Sequence, residues 1–178
     1  MPKKVLLDSK KIDIILNRLV CQLVENHKDF NNTVLIGLQP RGIFLIEKIL
    51  KIFKKNYPSI NIKSGILDFT FFRDDFRRSE KTLKASLTKI NFSVENKNVV
   101  LIDDVLFTGR SVKAAMSSMD SYGRPNSIEL LVLIDRRYKR EIPIQANYCG
   151  AKIDTFKGDK VNVVWNENSD ENVIYIEN

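Results

Sequence analysis

Two adjacent carboxylates in the middle of the chain directly follow an apolar run. Val99–Ile102 precedes Asp103 and Asp104, and Val105–Ser111 then supplies a Thr, a Gly and a Ser. In open α/β sheets, ligands bind beyond the carboxyl ends of the strands. The free N–H groups of a loop and of a helix N-terminus form an anion site suited to phosphate, and hydroxyl groups add further donors. The stretch therefore predicts a phosphate site at the end of a buried strand.

The carboxylates of Asp103 and Asp104 are poorly matched to the phosphate itself, because like charges repel. They are suited to accept hydrogen bonds from sugar hydroxyl groups, or to face a developing positive charge. Gly109 allows the backbone to approach a ligand closely. The Gly-x-x-x-x-Gly-Lys spacing of a nucleoside triphosphate loop is absent.

Apolar runs and helical spacings on both sides of this stretch predict the elements that position it. Apolar runs predict strands at Thr33–Leu38, Asn98–Asp103, Ser127–Ile134, Asn147–Cys149, Val161–Trp165 and Val173–Ile176. Helical spacing predicts a helix after a cap at Asp8 or Ser9, a second over Ile43–Phe53 and a third from Arg110 to about Tyr122. Ile60–Phe72 is expected to be mostly extended. This alternation predicts an α/β fold with a central, mostly parallel sheet flanked by helices.

The chain has 178 residues, of which 43% are hydrophobic and 29% are charged, so we expect one domain over residues 1–178. Its apolar runs are far shorter than the roughly 20 residues that cross a bilayer, and the N-terminus has no signal-peptide core. We therefore expect a cytoplasmic protein with no membrane partner. The net charge of +7 favours polyanions, either nucleic acid or a phosphorylated small molecule.

The cysteines and the histidine provide no metal motif. Cys21 and Cys149 lie far apart in the sequence, and we expect both to be reduced, buried thiols. His27 lies in a polar stretch, which favours a hydrogen-bonded residue at the surface. A structural zinc site and a Cys–His catalytic pair are therefore not supported.

The segment Arg73–Lys89 is polar, with only scattered apolar residues. A long segment of this kind in a compact domain is often a lid. We expect it to be either a mobile lid, drawn by its basic residues to an anionic ligand, or an arm that joins subunits.

The run from Val99 to Ser111 resembles the phosphoribosyl pyrophosphate motif of type I phosphoribosyltransferases. Arg41-Gly42 resembles the pyrophosphate loop of that family, and Leu67–Asp75 resembles the strand before its flexible catalytic loop. Glu141–Ile144 and the segment after it are similar to the PyrR-type subfamily, uracil phosphoribosyltransferases that also regulate pyrimidine genes by binding RNA. The resemblance covers nearly the whole chain. It implies the type I phosphoribosyltransferase fold with a small hood, formed by the C-terminal segment and a flexible loop, and a homo-oligomer of two or more copies.

By this resemblance, Asp103, Asp104 and Arg41 are the catalytic residues. The carboxylates would bind the ribose hydroxyl groups of phosphoribosyl pyrophosphate, and Arg41 would bind the pyrophosphate, next to a cis peptide bond between Pro40 and Arg41. Mg²⁺ would bridge oxygens of the substrate, with Asp103 and Asp104 as candidate ligands. The residues expected to bind substrate are Gly42, Arg73, Val105, Leu106, Phe107, Thr108, Gly109, Arg110, Ser111, Asp135, Tyr148, Cys149 and Gly150.

Phe107 bears on the identity of the base. The 6-oxopurine phosphoribosyltransferases have an Asp at this position that meets the purine N7, and a phenyl ring can neither donate nor accept that proton. The resemblance therefore favours uracil, held under a hood between Asp135 and Gly150. Tyr148 and Cys149 are equally well explained as core residues.

An RNA-binding regulator on the same fold is the alternative hypothesis. The basic cluster Arg136–Arg140 favours it, because such clusters contact RNA phosphates. Cys21 and Gln145 stand where the RNA-binding members have a His and an Arg, which weakens the case for RNA as a partner. Transfer to another base is a third hypothesis.

Overall fold

Eight strands and three α-helices lie within the residues that the structure describes. The computed structural model describes residues 3–75, 85–156, 158–166 and 171–177. The strands are β1 (Lys3–Leu7), β2 (Thr33–Leu38), β3 (Lys63–Leu67), β4 (Asn98–Leu106), β5 (Ser127–Arg137), β6 (Tyr148–Asp154), β7 (Lys160–Val164) and β8 (Val173–Glu177). The helices are α1 (Ser9–His27), α2 (Gly42–Asn56) and α3 (Arg110–Met119).

Five of the strands form a parallel sheet at the centre of the molecule, in the order β3-β2-β4-β5-β6. Its two faces are buried in different apolar clusters: Val100 and Ile102 of β4 pack with α1 and α2, whereas Val99 and Leu101 pack with α3. A strand buried on both faces is apolar throughout, which explains why these strands could be recognised as apolar runs. The predicted α/β fold with helices on both sides of the sheet is confirmed.

The helices begin and end near the predicted residues. Asp8 caps α1, and its side chain accepts a hydrogen bond of 2.9 Å from the Lys11 backbone N–H. The helix predicted from Arg110 to Tyr122 is α3 followed by one 3₁₀ turn, Asp120–Tyr122. Among the described residues, no helix is both long and apolar enough to cross a membrane.

A second, antiparallel sheet joins the two ends of the chain, in the order β1-β8-β7. Val161, Ile174 and Ile176 pack into the same apolar cluster as α1 and α2. The strands β7 and β8 were predicted, whereas β1 was not. The prediction for Ile60–Phe72 was only partly right, because β3 ends at Leu67 and a 3₁₀ turn follows at Thr70–Phe72.

Two predictions about polar side chains were wrong. Cys21 is a free thiol but is exposed rather than buried, while Cys149 is half-buried. The side chain of His27 is only 5% exposed, with Nε2 at 3.1 Å from Glu129 Oε2 and Nδ1 at 3.1 Å from Thr33 Oγ1. His27 therefore belongs to a buried hydrogen-bond network that brings together residues from three elements.

Candidate active site

Asp103 and Asp104 lie on β4, the central strand of the parallel sheet. The strand continues to Leu106, beyond the predicted end at Asp103, so the acids belong to the strand rather than to the following loop. Asp104 is 4% exposed, and its Oδ2 atom is buried without a hydrogen-bond partner in the described structure. This oxygen lies 3.8 Å from Arg41 Nη1. A buried carboxylate oxygen costs free energy until a donor or a cation reaches it.

Burial raises the pKa of Asp103 to about 8, and the neighbouring charge of Asp104 adds to the effect. Burial also raises the pKa of Asp104, although the Arg41 guanidinium acts in the opposite direction. Two interacting carboxyls titrate as a pair, so the pair retains a proton at neutral pH. Hydroxyl donors or a cation would favour the ionised form.

Replacing Asp103 by Asn is expected to stabilise the ligand-free protein at alkaline pH. The folded-state pKa of about 8 exceeds the value of about 3.9 for an unfolded Asp, so the folded state holds the proton more tightly. Wild-type stability therefore falls as the pH rises from about 4, and levels off above about 8. We expect the melting temperature of the variant to exceed that of wild type by roughly 10 °C or more near pH 9 and by little near pH 4. A difference that does not change with pH would contradict the assignment.

The loop after the acid pair forms a wall of a cavity of about 240 Å³. Asp103 and every residue of Val105–Ser111 line this cavity. Gly109 directly precedes α3 and has a φ of 89°, which glycine adopts without strain. The first N–H groups of a helix have no partner within the helix and attract anions. The structure therefore brings the predicted phosphate-binding loop together with the acid pair.

The turn between β2 and α2 places Arg41 beside the acid pair. Arg41 is the N-cap of α2, and its side chain is 50% exposed. A Cβ atom on Gly42 would lie 2.2 Å from the Ile102 carbonyl oxygen, so this position requires glycine. The cis peptide bond lies between Gln39 and Pro40, not between Pro40 and Arg41 as predicted. The bond before a proline adopts the cis form far more readily than other peptide bonds.

Ion pairs also lie at the cavity. Arg73 lines it as expected and pairs with Asp75, with 2.8 Å between Nε and Oδ1. Arg110 pairs with both Asp74 and Glu141. Residues 76–84 of the predicted lid lie outside the described residues, so the lid stays a prediction.

The ends of β5 and β6 meet beside Phe107. Asp135 is 6% exposed and pairs with Arg140. The guanidinium carbon of Arg136 lies 3.9 Å from the centre of the Phe107 ring, and the same guanidinium reaches Thr155 Oγ1 at 3.3 Å. Arg136 was expected near the base, at the end of a core strand, whereas Arg140 was predicted only as part of a basic cluster, because its contact with Phe107 joins residues that are 33 positions apart in the sequence.

Tyr148, Cys149 and Gly150 lie at the start of β6, and none of them lines the cavity. In a parallel sheet, ligands approach the carboxyl ends of the strands, and the carboxyl end of β6 is Asp154. The structure therefore does not bring these three predicted base-binding residues to the cavity. The direction of β6 could have shown this. A strand that runs parallel to β5 has its carboxyl end, and not its start, beside the carboxyl end of β5, where Asp135 lies.

Contacts within the sheet account for Tyr148 and Gly150. The Tyr148 hydroxyl donates to Glu129 Oε2 at 2.7 Å, and burial, together with the Glu129 carboxylate, raises its pKa to about 12. A Cβ atom on Gly150 would lie 2.4 Å from the Leu133 carbonyl oxygen. The alternative explanation of Tyr148 as a core residue fits its 3% exposure.

Comparisons with known proteins agree with this geometry. The family model for the phosphoribosyl transferase domain matches residues 3–170. The "Bifunctional protein PyrR" of Caldicellulosiruptor bescii is 38% identical over 174 residues, which covers 98% of this chain and 94% of that protein. The protein of the same name from Clostridium novyi is 35% identical over 174 residues, with coverage of 98% and 97%.

Solved structures share the fold at lower identity. A hypoxanthine phosphoribosyltransferase from Staphylococcus aureus superposes with a TM-score of 0.67 at 24% identity, covering 88% of this chain and 80% of that chain. The hypoxanthine phosphoribosyltransferase of Trypanosoma cruzi superposes with a TM-score of 0.69 at 15% identity, covering 96% and 95%. These similarities establish the type I phosphoribosyltransferase architecture and say nothing about the base.

Proposed function

The chain belongs to the phosphoribosyl transferase family, and we propose that it transfers the phosphoribosyl group of phosphoribosyl pyrophosphate to a nucleobase, with uracil as the favoured acceptor. The observation that carries the proposal is the acid pair on β4, followed without a break by the loop that lines the cavity. This arrangement supports the proposal, because two carboxylates that can accept hydrogen bonds from a sugar lie next to N–H groups that favour an anion.

Each part of phosphoribosyl pyrophosphate has a matching group in the site. The 5′-phosphate fits the loop Val105–Ser111 and the N-terminus of α3, where free N–H groups favour an anion. The ribose hydroxyl groups fit the carboxylates of Asp103 and Asp104, because one Asp104 oxygen is buried and has no hydrogen-bond partner in the described part of the chain. The pyrophosphate fits the half-exposed guanidinium of Arg41.

The acid pair also fits Mg²⁺. Mg²⁺ prefers oxygen ligands and takes about six of them, and Asp104 offers a buried carboxylate oxygen that has no hydrogen-bond partner among the described residues. Asp103 and Asp104 would hold the ion together with oxygens of the substrate. When bound, the ion supplies positive charge that offsets the negative charge of the departing pyrophosphate.

The reaction exchanges one bond at C1′ of the ribose for another. The bond from C1′ to the pyrophosphate oxygen breaks, a ring nitrogen of the base bonds to C1′, and the proton of that nitrogen leaves. Carboxylates beside the sugar stabilise the positive charge that develops on the ribosyl centre. Arg41 stabilises the charge on the departing pyrophosphate, and the phosphate loop holds the other end of the sugar in place.

Phe107 supports uracil as the acceptor. Phe107 lines the cavity, and its ring packs against the Arg136 guanidinium, so its side chain offers no acceptor or acid to a purine N7. The relatives named PyrR agree with the subfamily that the sequence resembles.

Pyrophosphate release from phosphoribosyl pyrophosphate, measured in parallel with uracil, hypoxanthine, guanine and xanthine, tests the proposal. We expect kcat/KM with uracil to exceed the purine values by at least about a hundredfold, because an active site discriminates strongly when buried polar groups are left unpaired by the wrong substrate. Turnover of a purine alone would overturn the uracil assignment but keep the transferase. No turnover with any base would overturn both.

RNA binding is the second candidate function. The relatives are called bifunctional, and the net charge of +7 favours a polyanion. Two arginines of the basic cluster, Arg137 and Arg140, are paired with carboxylates, which reduces the charge available for phosphate contacts. A salt series with RNA decides the question, since an RNA-binding protein loses affinity steeply as salt rises, and weak binding that does not depend on salt would exclude this function.

A further inference from the structure

Arg140 joins the phosphate-binding loop to the end of β5. Its guanidinium donates to the Phe107 carbonyl oxygen and pairs with the Asp135 carboxylate. The side chains of Arg140 and Asp135 are 24% and 8% exposed, so the pair is shielded from solvent. A charged hydrogen bond in such a place is stronger than one at an exposed surface.

The two residues after Arg140 hold the next part of the same loop. The backbone N–H groups of Glu141 and Ile142 both donate to the Thr108 carbonyl oxygen, at 2.9 and 3.0 Å. The Glu141 carboxylate pairs with Arg110. A segment of three residues therefore contacts the loop from Phe107 to Arg110.

These contacts determine which backbone groups the loop can present to an anion. The carbonyl oxygens of Phe107 and Thr108 accept hydrogen bonds from Arg140–Ile142, none of which lines the cavity. The two oxygens therefore point towards that segment rather than towards a bound phosphate, which they would repel. A loop already held in its binding conformation loses less entropy when the ligand arrives.

We propose that Arg140 is a positioning residue that holds the phosphate-binding loop in its anion-binding conformation without touching the ligand. This inference rests on the proposed function, because it takes the loop to be the site of the 5′-phosphate. In this role Arg140 supports substrate binding through the loop, and it is not part of a basic surface that contacts RNA.

The test is the affinity for ribose 5-phosphate, measured by titration calorimetry on the full chain. This probe carries the phosphate but no base and no pyrophosphate. Arg140→Met should raise the dissociation constant about tenfold, the effect of losing one charged hydrogen bond that organises the loop, and Arg140→Lys should recover part of the loss.

The matched control is Arg137→Met, because Arg137 also pairs with an aspartate at a strand end, at 2.6 Å from Asp154 Oδ1, but is half-exposed. Its dissociation constant should stay within about twofold of wild type.

A second variant separates positioning from the cost of an unpaired buried charge. Removing Arg140 alone leaves the Asp135 carboxylate buried without its partner, which destabilises the fold. In Asp135→Asn/Arg140→Met both charges are absent, so the melting temperature should recover while the affinity for ribose 5-phosphate stays low. Recovery of the affinity in this double variant, or unchanged affinity in Arg140→Met, would overturn the proposal. Failure of the wild-type protein to bind ribose 5-phosphate would instead overturn the proposed function, and with it the inference.

Discussion

The double substitution Asp103→Asn/Asp104→Asn is expected to lower phosphoribosyl transfer by at least about a thousandfold while the fold persists. The amides keep the size of the carboxyl groups and can still accept hydrogen bonds from ribose hydroxyl groups. They carry no negative charge, so they cannot stabilise the positive ribosyl centre, and they bind Mg²⁺ far more weakly than carboxylates do. The fold should persist, because burial raises the pKa of both carboxyls. The folded protein therefore already disfavours their charged forms, and neutral amides fit the same positions.

The measurement is the steady-state rate of pyrophosphate release, with circular dichroism and a melting curve on the same samples. Asp13→Asn/Asp120→Asn is the control, because it removes the same number of charges from exposed positions. Full activity in the double variant of the acid pair would show that these carboxylates take no part in the reaction. Activity lost equally in the control would point to net charge instead.

Gly42→Ala is expected to destabilise the protein and to disrupt the site at the same time. The new Cβ would lie 2.2 Å from the Ile102 carbonyl oxygen and 3.4 Å from the Asp103 Cα. Both neighbours are backbone atoms of β4, so the N-terminus of α2 must move away from the acid pair. Overpacking of this kind costs about 1–3 kcal/mol, which lowers the melting temperature of a chain of this length by about 2–12 °C.

Arg41→Met separates the steric effect from the loss of charge. It removes the guanidinium next to Gly42 without adding an atom against β4, so transferase activity should fall while the melting temperature stays close to that of wild type. If Gly42→Ala melted at the wild-type temperature, the close approach of α2 to β4 would be wrong.

The parts of the fold that could be predicted from sequence are those determined by local patterns. The residues of β2, β4 and β5 are apolar because both faces of the sheet are buried, and this makes them visible as runs. The stretch from Asp103 to Ser111 could be assigned because strand, acids, loop and helix follow one another without interruption.

The parts that were missed depend on contacts between distant segments. His27 was expected at the surface because its neighbours in sequence are polar, but its partners Thr33 and Glu129 come from β2 and β5. Tyr148 was assigned to the base by the family resemblance, and only the pairing of β6 with β5 shows that this residue lies at the start of the strand, away from the cavity. The pair of Asp135 and Arg140 joins a strand to the loop after it, and no spacing rule predicts that contact.

The contiguity of the stretch from Asp103 to Ser111 has an evolutionary consequence. On the proposed function, nine consecutive residues fit the sugar phosphate, whereas the base is expected near the ends of β5 and β6, which meet beside Phe107. A substitution at the end of β6 is then expected to alter the acceptor without changing any of those nine residues. Lineages built on this scaffold can therefore exchange one nucleobase for another while the donor of the phosphoribosyl group remains the same.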